Sequence, residues 1–253
     1  MAFKDEEEPK NPKLVEIGWE IVQKCAQVLL AIRSIASLLY FNNSEVYWLS
    51  FKNNELYKIT QQEKGIFPIL KLSYDHLPPH LKQCFAFCSS FPKDYGIKVD
   101  ELIQLWIAQG FIHLLDEKSR LEDVGLEYFK DLLWRSFFQD ININAYGDIY
   151  QCKMHDLIHD LAQSVAGAKS IISTSNAKNV VEKTRHVAFD SLNSLRDIPA
   201  PLFKADKMRL LLPRFPIFYG YGQSVLEGNK RVYDTLISSF KCLRALNLSN
   251  SNI

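Results

Sequence analysis

The chain has 253 residues, 47% of them hydrophobic, with 30 Lys and Arg against 29 Asp and Glu. That length and composition support one or two buried cores, and the near-zero net charge excludes a global field that would gather nucleic acid or an anionic membrane. No run reaches the ~18 apolar residues of a membrane span, and the best stretch, Val28 to Phe41, carries Arg33.

Residues 1–13 are charged and proline-bearing, with Glu6, Glu7 and Glu8 in the middle. They read as a solvated tail and not as a secretory leader. Five cysteines, at positions 25, 84, 88, 152 and 242, are an odd number. They point to free thiols in a reducing, cytoplasmic setting. Residues 14–40 are helical in spacing through Leu14, Ile17, Ile21, Val22, Ala26, Leu29, Leu30 and Ile32. Asn42-Asn43-Ser44 is a break. A short helix is predicted within 45–64, with Val46, Trp48, Leu49, Leu56 and Ile59 on its apolar side.

Ile66 to Leu72 is an apolar run, and Pro78-Pro79 then suits the first turn of a new helix. That helix carries Leu81, Cys84, Phe85 and Cys88 and is stopped by Pro92. Asp94-Tyr95-Gly96 predicts a turn. Residues 99–109 form an amphipathic helix through Leu102, Ile103, Leu105, Trp106 and Ile107, closed by Gly110. Another helix is predicted at about 121–134, with Val124, Leu126, Phe129, Leu132 and Leu133 inward. The period then changes from 3.6 to 2. Ile141 and Ile143, a turn over 145–148, and Tyr150, Cys152 and Met154 predict a hairpin at about 137–153. Helices followed by a two-stranded hairpin are the order of a winged-helix module.

The hairpin runs into 154–165, with apolar residues at 154, 157, 158, 161, 162 and 165, stopped by Gly167. His155 and His159 lie one turn apart on the predicted polar face, as do Asp156 and Asp160. After Gly167 the texture is short strands and loops. Residues 184–189 alternate like a strand, and 208–212 is a second short apolar run. Residues 243–249 fit L-x-x-L-x-L, the strand segment of a leucine-rich repeat. The 35-residue offset from Met208 to Leu243 exceeds the usual ~20–29, leaving one good copy.

Four stretches carry a specific resemblance: 71–78 (KLSYDHLP), 84–95 (CFAFCSSFPKDY), 102–112 (LIQLWIAQGFI) and Met154-His155-Asp156. In order and spacing they resemble plant nucleotide-binding, leucine-rich-repeat disease-resistance proteins, closely over about 12–190 and loosely beyond. The resemblance implies a mainly α fold in three parts. Residues 1–64 would be a remnant of the helical first ARC subdomain. Residues 65–167 would be the winged-helix second ARC subdomain. Residues 168–253 would be a linker and the irregular start of an α/β repeat solenoid. In that family the Met-His-Asp histidine reaches the β-phosphate of ADP, so Met154, His155 and Asp156 are the implied nucleotide-contacting residues. The family's Gly-Leu-Pro-Leu-Ala segment aligns with Gln27-Val28-Leu29-Leu30-Ala31, where Leu29 and Leu30 mark a degenerate copy lacking the glycine and the proline.

The family's phosphate loop, G-x-x-x-x-G-K-[ST], does not occur in this sequence, and neither does its Mg-binding acidic strand. The expectation is therefore a truncated, non-enzymatic switch and interaction fragment of an intracellular plant immune receptor. Its partners would be protein, with ADP or ATP held only where a nucleotide-binding domain is supplied. The alternative is an ATPase switch module completed by another chain. His155 and His159 have the spacing of the H-E-x-x-H zinc helix, but no third ligand follows, and an exposed polar face is the simpler reading. A DNA-binding winged helix would present 99–109, which has two acids and no Lys or Arg. Cys84 and Cys88 read as buried small hydrophobes.

Overall fold

The computed structural model describes residues 11–40, 42, 44–57, 65–114, 116, 118–173, 183–189, 207–213 and 238–246. The chain is mainly helical and opens with three helices around one apolar cluster. Helix α1 (Pro12–Lys24) starts on Asn11, whose side chain accepts the Lys13 N–H, with Pro12 at its first position. Helix α2 (Leu29–Tyr40) follows after two left-handed residues, Ala26 and Gln27. The single helical spacing read over 14–40 is thus two helices. Helix α3 (Glu45–Ser50) continues as a π-helical turn, Phe51–Leu56. Leu14, Ile17, Ile21, Ile35, Trp48, Phe51 and Leu56 fill the space between them. Val46, expected on the apolar side, is 76% exposed. Ile59 lies outside the described residues, as do the tail at 1–10 and the end of the repeat-like stretch at 247–253.

Helix α4 (Phe67–Asp75) divides the molecule. Its Ile69 and Leu72 pack into the first cluster, whereas Leu70 packs into a second, larger one. The second cluster is the winged helix. Helix α5 (Pro79–Phe87) tightens into a 3-10 turn, Cys88–Ser90, before Pro92 is reached. Strand β1 (Ile97–Lys98) leads into helix α6 (Val99–Gln109), which ends on Gly110 in the left-handed conformation glycine adopts without penalty. Helix α7 (Leu121–Trp134) packs across α6, and Gly125 sits at the crossing.

Strands β2 (Gln139–Ile143) and β3 (Ile149–Lys153) form the wing. Asn144 makes its turn: the side-chain oxygen accepts both the Tyr146 and the Asp148 N–H, each at 2.9 Å. Strand β1 adds to the far side of β3, Ile97 opposite Cys152, giving the antiparallel order β1-β3-β2. Two residues are too few for a sequence period, so β1 was not foreseen.

Helix α8 spans Asp156–Ala166 and not 154–165. The reason is local: His155 is extended (φ −65°, ψ 144°) and serves as the N-cap, which leaves Met154 in the approach from β3. Among the described residues four strands follow in one parallel ladder: β4 (Ser170–Ser173), β5 (His186–Phe189), β6 (Leu210–Pro213) and β7 (Ala245–Leu246). Each new strand pairs with the one before it. The Met208 run, a poorer match to the repeat pattern, and the Leu243 run, its one good copy, are neighbours. The ladder fixes strand register and leaves the intervals between strands unconstrained. Ala188, Leu210 and Leu212 join the winged-helix core, so ladder and winged helix share one interior.

Candidate functional site

Three candidate residues sit where β3 gives way to α8, and they do different things. Met154 is 5% exposed and is a core residue. Asp156 is exposed in the first turn of α8, where the helix dipole favours a carboxylate. His155 is half-buried, and its Nδ1 accepts the Leu157 N–H at 3.1 Å. A backbone N–H only donates, so the neutral ring must carry its proton on Nε2. The cap therefore fixes the ring and its tautomer. It leaves the Nε2–H as a donor at the N-terminal end of an 11-residue helix, where the Leu157, Ile158 and His159 N–H groups are already paired with His155.

His159 contradicts the expectation of an exposed polar face. It is 1% exposed, and its Nε2 lies 2.6 Å from the Phe91 carbonyl. It therefore staples α8 to the turn after α5 and is not presented beside His155. Among the described residues no group of three or more His, Cys, Asp or Glu could hold a metal. Asp160 faces the same turn and pairs with Lys93 at 2.6 Å. That hydrogen bond raises the Lys93 pKa, with smaller contributions from the charges of Asp160, Asp156 and Asp94. The first turns of α8 are thus fastened from below by His159 and from the side by Lys93.

Leu29 and Leu30 open α2. Leu29 is 60% exposed and Leu30 packs against the winged-helix core. Leu30 also lines a cleft of about 510 Å³ between α2 and the start of the wing, with Arg33, Tyr40, Trp134, Phe138 and Asp140. Tyr40 stacks on Trp134, ring centres 5.6 Å apart. Gln139, also in the wall, pairs with Lys153, two residues before His155. The cleft therefore joins the Leu30 position to the strand leading to His155, although His155 is not in its wall. Arg33 and the cleft were not anticipated; the only signal was a cation within the most apolar stretch of the first half.

Cys25, Cys84, Cys88 and Cys152 are buried and act as apolar residues, whereas Cys242 is exposed. Cys84, Cys88 and Cys152 are fully buried, and burial pushes the Cys152 thiol up to about 12 and that of Cys88 well above the ordinary value. Trp106 is likewise fully buried.

Residues 91–162 match the family described as the disease resistance protein winged helix domain. The match runs from the turn that holds His159 through the wing and most of α8. The putative disease resistance protein RGA4 and the disease resistance protein RGA2, both of Solanum bulbocastanum, are each 45% identical to this chain over 179 residues, 71% of its length. The putative disease resistance RPP13-like protein 1 of Arabidopsis thaliana is 29% identical over the whole chain. The chain belongs to the plant disease resistance proteins. It spans 18% of the length of the two Solanum relatives and 23% of the Arabidopsis one. Among its described residues, no helix is long and apolar enough to cross a membrane.

Proposed function

We propose that this chain is the regulatory portion of an intracellular plant immune receptor, in which the β3–α8 junction reads the nucleotide state. The observation that carries the reading is His155. Its ring is locked by the Leu157 N–H, its remaining proton points away from that cap, and it stands at the positive end of α8. That arrangement suits a phosphate oxygen. Asp156 stabilises the helix start, Met154 anchors the strand, and Leu30 forms part of the opposite wall of the neighbouring cleft. The chain itself is non-enzymatic and cytoplasmic, and the phosphate-binding loop that completes the ADP or ATP site comes from a separate domain. The parallel ladder of β4–β7 is the start of the leucine-rich repeats and passes the switch state onward to protein partners. Nucleic acid is not a partner, since α6 turns Asp100, Glu101 and Gln104 outward and carries no cation.

Titration calorimetry tests this. The chain alone should give no heat with ADP. Supplied with the nucleotide-binding domain of a relative, it should bind, and His155→Ala should weaken ADP about tenfold, the worth of one hydrogen bond to a charged group. Equal affinity for both proteins would refute the role of His155.

A further inference from the structure

The parallel ladder has an unassigned property at its leading edge. Ser170, His186, Leu210 and Ala245 lie in register across β4–β7. The residues just before them are Lys169, Arg185, Arg209 and Arg244. Backbone bonds keep these four stacked: the Arg185 N–H donates to Lys169 O at 2.9 Å, Arg209 to Arg185 O at 2.7 Å, and Arg244 to Arg209 O at 2.8 Å. Four cations therefore repeat at the ~4.8 Å spacing of neighbouring strands. Like charges directly opposite one another in a ladder repel.

One contact relieves part of this. Arg244 reaches the C-terminal end of α6 and donates to Gln109 O at 2.6 Å. Lys82, from α5, joins the group and donates to Asp75 O at 2.7 Å. The other three converge with Lys82 on a cavity of about 310 Å³, walled also by Phe87 and His186. Among the described residues no Asp or Glu lines it. The cations also act on the wall itself: burial, then the charges of Arg209, Arg185 and Lys169, hold His186 neutral, its pKa lowered to about 4. A concave site with several cations, no acid and room for a small molecule is suited to a negative ligand.

We propose that the cavity walled by Lys82, Lys169, Arg185 and Arg209 binds a compact polyanion of the oligophosphate class. The ligand's charges span successive rungs of the cation ladder and fasten the ladder to the winged helix. The site is distinct from His155 and rests on no part of the nucleotide reading. Arginine forks supply bidentate contacts to phosphate oxygens, and Lys82 and Lys169 supply point charges.

The test uses the full chain and inorganic tripolyphosphate in titration calorimetry at low salt. Micromolar affinity is expected, falling steeply as salt rises, with sulfate at least tenfold weaker. Lys169→Gln, at an exposed position, should weaken tripolyphosphate severalfold, and Arg185→Gln with Arg209→Gln by more than tenfold. Lys13→Gln, a surface cation outside the cavity, should have no effect, nor should His155→Ala. Circular dichroism verifies that each variant is folded. Absence of binding at millimolar tripolyphosphate would overturn the proposal. So would equal loss in Lys13→Gln, which would mean general charge attraction. An acidic protein segment already seated in the cavity would also appear as absent binding and count against it.

Discussion

At the level of single residues, backbone conformation explains two positions that the alphabet alone misrepresents. Gln27 stands where the resembled family has the glycine of its Gly-Leu-Pro-Leu-Ala segment, and its φ of 58° is left-handed. A non-glycine residue there costs about 1–2 kcal/mol, while glycine loses roughly 0.5–1 kcal/mol more chain entropy on folding. Gln27 is exposed, so no packing offsets the difference. Gln27→Gly should therefore stabilise the fold by about 0.5–1 kcal/mol, read as a higher midpoint in urea unfolding with unchanged slope. The lost proline fits equally well: Leu29 is the first residue of α2, where a missing N–H is harmless. The histidines teach the converse. Spacing made His155 and His159 equivalent, but a cap conformation at one and a carbonyl partner 68 residues away at the other separate them. Spacing within one helix carries no information about either.

At the level of elements, legibility followed length and amphipathicity. Helices α6 and α7 were readable to the residue because each has a full apolar stripe and, for α6, a glycine stop. The wing was readable because alternation resumes on both sides of the Asn144–Asp148 turn. The two-residue strand β1 and strand β4 were unmarked, and although 184–189, 208–212 and 243–249 carried strand or repeat signals, their parallel pairing was not legible, since it is non-local and the intervals are unequal. Helix crossings too are invisible in one sequence, and Gly125 shows the consequence. A Cβ there would lie 2.5 Å from Ile103 Cγ2. Gly125→Ala should gain about 1 kcal/mol in helix propensity and lose about 1–3 kcal/mol to overpacking between α6 and α7. The net effect should be destabilising, measurable as a lower urea midpoint. A stabilised variant would mean that Ile103 rotates away freely and that the crossing is loosely packed.

For the whole molecule, the decisive joint is between winged helix and ladder, and it is set with a titratable group. His186 is 7% exposed, lies edge-on to Phe87 of α5 with ring centres 5.0 Å apart, and is surrounded by Lys82, Lys169, Arg185 and Arg209. Polar contacts flank it: the hydroxyls of Ser90 and Ser170 meet at 3.1 Å, and Arg244 donates to Gln109 O at 2.6 Å. Burial first, and then Arg209, Arg185 and Lys169, lower the His186 pKa from 6.5 to about 4. Between those values the unfolded chain binds a proton that the folded chain refuses. The contribution to stability is therefore complete above pH ~6.5 and is lost as pH falls towards ~4, on the order of 3 kcal/mol in all. The expected outcome is a denaturation midpoint that drops through this window, with hydrogen exchange rising first in β5 and the 88–90 turn. His186→Gln removes the titrating group, so its midpoint should vary less between pH 6.5 and 4 even if it is lower at neutral pH. An unchanged pH slope in that variant would assign the acid sensitivity to the carboxylates instead. Because Arg209, Arg185 and Lys169 cause part of the shift, Arg209→Gln should give an intermediate slope, linking the acid response of the joint to the charge ladder that frames it.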